Sequence, residues 1–173
     1  SIHDPINSIA SILSELCKTL YENLKTAFKD LFGMEAPPKL GSDQAMKILS
    51  QETFHEDTWK SSLEVSGDFT DMYSNAQESD VISAYKLCVK YSRFCHETEL
   101  FILELIQIVL RFNFFKQPTG IFTSDNGFAM GCKTSAISTD ILLLASEFNS
   151  FWNMSKIQIQ AVKRFFRFRD DLN

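Results

Sequence analysis

The stretch Val162-Lys163-Arg164-Phe165-Phe166-Arg167-Phe168-Arg169-Asp170-Asp171 decides how the rest of the sequence is read. Its apolar residues from Val162 to Phe168 alternate enough to predict a strand, and that strand ends in two adjacent carboxylates. Like charges so close repel unless a cation sits between them. At neutral pH a hard divalent ion, which prefers carboxylate oxygens, suits that place. A solvated turn is the plainer account of such a pair. What separates the two readings is a partner carboxylate at the end of a second strand.

Asp68 supplies one. Between Trp59 and Phe69, Leu63, Val65 and Gly67 alternate with Ser62, Glu64, Ser66 and Asp68, which predicts a strand. It closes on Gly67-Asp68-Phe69-Thr70-Asp71-Met72-Tyr73-Ser74-Asn75. Brought side by side, Asp68, Asp170 and Asp171 would offer three carboxylates. They could hold two divalent ions about 4 Å apart, the spacing used for in-line phosphoryl displacement. Mg²⁺ needs few protein carboxylates because substrate phosphates complete its shell. Read instead as a cap for Thr70 to Ser74, Asp68 would do no chemistry.

A chain of 173 residues suits one domain with a sizeable core, and sixteen Phe make that core aromatic. The formal charge of -5 disfavours a free-standing nucleic-acid binder. That exclusion lapses if the chain is a piece of a larger protein, as Ser1 at its start and Asn173 two residues past the Asp pair would fit. Cys17, Cys88, Cys95 and Cys132 form no Cys-x-x-Cys, and His3, His55 and His96 no zinc spacing. Cys88 and Cys95, seven apart on an expected helix, share one face as reduced core thiols would. These cysteines and histidines read as structure or surface, in an intracellular, reduced setting. No stretch of these residues reads as a signal peptide, and the apolar window Leu100 to Leu110, broken by Glu104 and Gln107, is too short to span a bilayer.

Along the chain, Asp4-Pro5 predicts a helix start, and Ile6, Ile9, Ile12, Leu13, Leu16, Leu20, Leu24, Phe28, Leu31 and Phe32 form a stripe ended by Gly33. Met34 to Gly41, with Pro37-Pro38, reads as a loop, and Ser42 or Asp43 caps a shorter helix. Glu78 to Arg111 reads as one long helix whose second half is apolar all round and so buried between layers. Phe112 to Phe122 reads as a hairpin turning at Gln117-Pro118-Thr119-Gly120 and Asp125-Asn126-Gly127 as another turn, with the Phe residues from Phe112 to Phe128 in the core or, where one is exposed, open to base stacking. A helix from Ser135 to Trp152 follows, then a short helical or irregular piece leading to the last strand. The sum predicts an α+β fold with helices packed on one face of a small antiparallel sheet.

In this order the motifs resemble a reverse transcriptase palm, and most closely that of Penelope-like retroelements. Asp68 to Asn75 looks like the first catalytic motif, an aspartate followed five residues later by an aromatic. Gly127-Phe128-Ala129-Met130-Gly131-Cys132-Lys133-Thr134-Ser135 is similar to the second, whose Penelope-like form is Gly-x-Ala-Met-Gly-Ser-Pro-x-Ser. Phe168-Arg169-Asp170-Asp171 looks like the Tyr-x-Asp-Asp motif. The resemblance covers essentially the whole chain. It implies a partial fingers and palm domain over residues 1–173, with basic finger strands before it and a primer grip and thumb after it. It further implies an RNA-directed DNA polymerase, a nucleotidyltransferase of retrotransposon origin working inside the cell, in the nucleus, with two Mg²⁺ (Mn²⁺ in their place). Its partners would be an RNA template, a DNA primer and a deoxynucleotide, with no membrane, and an endonuclease domain often adjoins such enzymes.

By the same resemblance, Asp68, Asp170 and Asp171 and the carbonyl of Phe69 would hold metal. The Tyr73 ring would exclude a ribose 2′-hydroxyl, and Met130 and Gly131 would line the nucleotide pocket beside Phe168, which stands for the usual tyrosine. Tyr73 and Met130 also suit plain core packing. Cys132 stands for a Ser or Cys, while Lys133 and Ala136 replace prolines usual in that turn. This loosens its backbone or sets the Lys133 cation to meet a phosphate. Two other readings remain: a non-catalytic helical interaction or nucleic-acid-binding domain from a decayed retroelement, and a different metal-dependent phosphotransferase.

Overall fold

In the computed structural model, a proline at the first helical position and a glycine just past the last bracket a 28-residue helix, α1 (Pro5–Phe32). The structure describes residues 5–37, 39–40, 47–48, 50–51, 60, 62–63, 75–112, 114–123, 127–128, 133–162, 165 and 167–168. The chain divides into two compact units, residues 1–36 with 70–154, and residues 37–69 with 155–173.

In the first unit, Ala10, Leu13, Cys17, Leu20, Leu24 and Phe28 of α1 are fully buried, one residue every three or four, so a single stripe carries the helix into the core. The outer face carries Glu15–Lys18 and Glu22–Lys25 pairs at 2.6 and 3.0 Å, exposed and worth a few tenths of a kcal/mol each, roughly. At the end, Gly33 takes φ 70° and donates its N–H to the Lys29 carbonyl at 2.9 Å, an αL cap that a side chain would strain.

Among the described residues this unit also holds α2 (Glu78–Lys90), α3 (His96–Arg111) and α4 (Ser135–Trp152). Helices α1 and α2 pack on each other, and each also packs on α3 and on α4. Apolar faces of α1 and α4 meet in an aromatic cluster. Phe28 stands edge-on to Phe32 at 4.7 Å, Phe151 at 5.1 Å and Phe148 at 6.1 Å between ring centroids. A hairpin joins β2 (Phe114–Gln117) to β3 (Gly120–Thr123), in register from Phe114 opposite Thr123 to Gln117 opposite Gly120, so Pro118-Thr119 is the turn expected from sequence.

The second unit contains β1 (Lys39–Leu40), α5 (Lys156–Ala161) and β4 (Arg167–Phe168). The two strands run parallel, Lys39 beside Arg167 and Leu40 beside Phe168. Ser155 and Gln158 start α5 with a reciprocal capping box.

The expected α+β sheet is therefore corrected. Among the described residues the fold is mostly helical, and its strands form only the four-residue hairpin and the two-residue parallel pair. The alternation over Trp59 to Phe69 has no buried face where it is described. Ser62 and Leu63 lie outside any strand, and Leu63 is 88% exposed. In the final run Val162 ends α5, and among the described residues Arg167 and Phe168 pair with β1, inside the stretch expected to be loop.

The helix expected over Glu78 to Arg111 breaks at residues 91–95. Tyr91 closes α2 with its N–H on the Cys88 carbonyl at 3.1 Å, and Cys95 starts α3 from extended backbone. Between them the Ser92 hydroxyl accepts from the Phe94 N–H at 3.3 Å and donates to Glu99 at 2.8 Å, a local alternative to helix bonding. Tyr91, Phe94 and Cys95 supply enough apolar residues within 91–95 for one helical pattern to be drawn across the break. Cys88 and Cys95 consequently do not share a face: Cys88 is buried and Cys95 exposed. Nor is α3 buried all round. Ile102, Leu105, Ile106 and Val109 face the core, while Leu100, Phe101 and Ile108 do not. The aromatic stretch from Phe112 to Phe128 likewise divides, with Phe128 buried and Phe112 and Phe122 exposed.

Candidate functional site

Of the residues expected to do chemistry, Asp68, Phe69, Tyr73, Met130, Gly131, Asp170 and Asp171 lie outside the described residues. Phe168 is described for its backbone, as the second residue of β4. Among the described residues no group of three or more His, Cys, Asp or Glu could hold a metal ion. What the structure does show is how the segment from Gly127 to Ser135 is held at its two ends.

At its start Gly127 takes φ 84°, a left-handed conformation that favours glycine, and donates its N–H to the Ala76 carbonyl at 2.8 Å. Ala76 follows directly on the Asp68 to Asn75 motif. One backbone bond therefore joins the first residue of one motif to the residue just beyond the other. Phe128, next along, is buried and anchors the chain there.

At the other end Lys133 reaches α1. Its ammonium donates to the Ser11 hydroxyl at 2.9 Å, and its carbonyl accepts from the Ser14 hydroxyl at 3.4 Å. The looser turn expected where Lys133 stands is thus tied back by hydrogen bonds from a helix more than a hundred residues away in sequence. Thr134 and Ser135 then go into the core as α4 begins, and the Ser138 N–H closes its first turn on the Thr134 carbonyl at 2.8 Å.

A buried polar chain that sequence reasoning missed links α1, α2 and α4. The Tyr85 hydroxyl of α2 lies 3.0 Å from Cys17 Sγ of α1 and 2.8 Å from Ser138 Oγ of α4. Three helices thus share one hydroxyl, which can donate to one neighbour and accept from the other. Burial pushes the Cys17 thiol up to about 12, only partly offset by its bond to Tyr85, and it pushes Cys88 and Tyr85 up as well. All three groups are neutral and inert at physiological pH, so the cluster is a structural tie. Thr139 and Asp140 are also buried, and the Thr139 hydroxyl satisfies itself on the Ser135 carbonyl at 2.8 Å. A signal existed in the spacing: Ser138 lies on the helical face of Ile141, Ala145 and Phe148, all buried.

Comparison with protein-family models, with curated proteins and with solved structures gives no match. Among the described residues no helix is long and apolar enough to cross a membrane.

Proposed function

We propose that this chain carries the metal and substrate motifs of an RNA-directed DNA polymerase of retroelement type. The observation that carries the reading is the order and spacing of three motifs: Asp68 with Tyr73, Gly127 to Ser135, and Phe168 with Asp170-Asp171.

In this reading Asp68, Asp170 and Asp171 hold divalent ions. The donor set is all carboxylate, which fits a hard ion such as Mg²⁺. Bound there, the ions would activate a primer 3′-hydroxyl and neutralise the departing pyrophosphate. The Phe69 carbonyl adds a ligand. Tyr73 places a ring against the sugar and excludes a ribonucleotide, while Met130 and Gly131 allow the incoming base and its template partner to approach backbone. An RNA template, a DNA primer and deoxynucleotides are the partners.

The predominantly helical fold of the described residues favours a second reading, a non-catalytic interaction module descended from such an element. Titration with Mn²⁺ separates the two. A working site binds the ion and loses it in Asp170→Asn, whereas a module without the site gives the same weak response in both proteins.

A further inference from the structure

From Val81 to Cys95 the chain carries Lys86, Lys90 and Arg93 and no carboxylate, a local reversal of sign in a chain of net charge -5. The reversal lies on one side of α2. Val81, Ala84, Tyr85, Cys88 and Val89 take the other side into the core. Ser79, Ser83, Lys86 and Lys90 are exposed and follow one another at four, three and four residues, so they share a face. Lys86 and Lys90 are about 6 Å apart along the axis at the helical rise. Arg93 is exposed in the turn that follows. Glu78 and Asp80 sit in the first turn, at the opposite end of the helix, and Glu78 faces Arg111 of α3 at 3.9 Å.

The lysines of α1 are used differently. Lys18, Lys25 and Lys29 each meet a carboxylate, that of Glu15, Glu22 or Glu35. Among the described residues Lys86, Lys90 and Arg93 have no ion pair, and the Lys90 ammonium rests 5.7 Å over the Tyr91 ring. Lysine and arginine only donate, so a row of them without carboxylates suits a row of anions that only accept, as the phosphates of a nucleic-acid strand do. A lipid surface suits it less. Basic helices hold to membranes by an apolar face beside their charges, and the apolar face of α2 is in the core.

We propose that the exposed face of α2, with Lys86, Lys90 and Arg93, binds the phosphate backbone of single-stranded nucleic acid. Contacts of this kind hold a strand in place and do not read its bases. The inference stands on the charge and packing of α2. It needs no metal ion and none of the three motifs, so it is independent of the polymerase reading.

The test is fluorescence anisotropy of a labelled oligodeoxythymidine titrated with the intact chain in EDTA, over about 50 to 200 mM salt. Neutralising three phosphates of a single strand gives log K a slope of about -2 against log salt. The variant Lys86→Gln/Lys90→Gln/Arg93→Gln should lose about 2 from the slope and bind roughly 10-fold or more weakly at the lowest salt. Its urea unfolding should be unchanged, since all three side chains are exposed. Lys18→Gln/Lys25→Gln/Lys29→Gln makes the same change in net charge on α1 and should bind as the unaltered chain does. Lys86→Arg/Lys90→Arg keeps the charges and should keep the binding. No binding by the unaltered chain, or equal weakening in the two triple variants, overturns the proposal. Binding to phosphatidylserine vesicles or to polyglutamate, with none to the oligonucleotide, overturns it in favour of a membrane or an acidic peptide. Because EDTA removes every metal-dependent contact, this outcome is separate from that of the Mn²⁺ titration.

Discussion

Helices α1 and α3 are both rich in large apolar residues, yet they are used differently. In α1 the apolar residues recur every three or four positions, and Leu13, Leu20, Leu24 and Phe28 are all fully buried. In α3 the run Leu100 to Leu110 is more continuously apolar, but Phe101 remains 49% exposed and Ile108 36% exposed. A helix packed from one side can bury only one face, however apolar the others are. Periodicity therefore says more about burial than density does. The ends of the two helices differ as well. Gly33 closes α1 with positive φ, whereas Phe112 closes α3 at φ -96° with its N–H on the Ile108 carbonyl.

The largest expected effect separates the two faces directly. Phe28→Ala empties the centre of the aromatic cluster and should destabilise by about 3–5 kcal/mol in urea unfolding, whereas Phe101→Ala should cost about 0.5 kcal/mol or less. Equal costs would erase the distinction between the helices.

Next comes alkaline pH, which sets Cys17 of α1 against Cys95 at the start of α3. Cys17 is raised in the folded state to about 12 from an ordinary 9.0, so its folded form holds its proton where the unfolded form gives it up. Its contribution is fully present below pH about 9 and is lost as pH rises from there toward about 12. Stability should fall by about 1.4 kcal/mol per pH unit for each such group in that window, and Cys17→Ala should flatten the slope. At pH 8, iodoacetamide should modify exposed Cys95 and spare buried Cys17 and Cys88 until the protein is unfolded. Rapid labelling of Cys17 in the native protein would contradict its burial.

Gly33→Ala should give the smaller effect, about 1 kcal/mol. Open space surrounds the added methyl, so the cost is conformational alone. Phe112→Ala at the equivalent point of α3 needs no left-handed backbone and should lose less.

Local signals marked α1 and α4 in the sequence because their ends and stripes coincide: Pro5, Gly33 and the spacing from Ser135 to Trp152 are all within reach of neighbouring residues. The turn at Pro118-Thr119 was legible for the same reason. Tertiary facts were not. The break at residues 91–95 is bridged by Ser92 bonding Glu99, while Tyr91, Phe94 and Cys95 let one helical pattern be read across it. Strand-like alternation at Leu63 mimicked a sheet because period two is informative only when one face is buried. For the candidate site, the proposed motif residues rest on type and spacing alone. The contact of Lys133 with Ser11 joins positions 122 residues apart, and nothing local announces it. The tie from Cys17 through Tyr85 to Ser138 was hidden likewise, since each member is unremarkable alone.

The most direct measurement of the central claim is extension of a DNA primer on an RNA template by the natural protein that bears this chain, supplied with Mg²⁺. Extension that is present in the unaltered protein and abolished by Asp68→Ala is the predicted result. No extension, or extension that survives Asp68→Ala, would contradict the account.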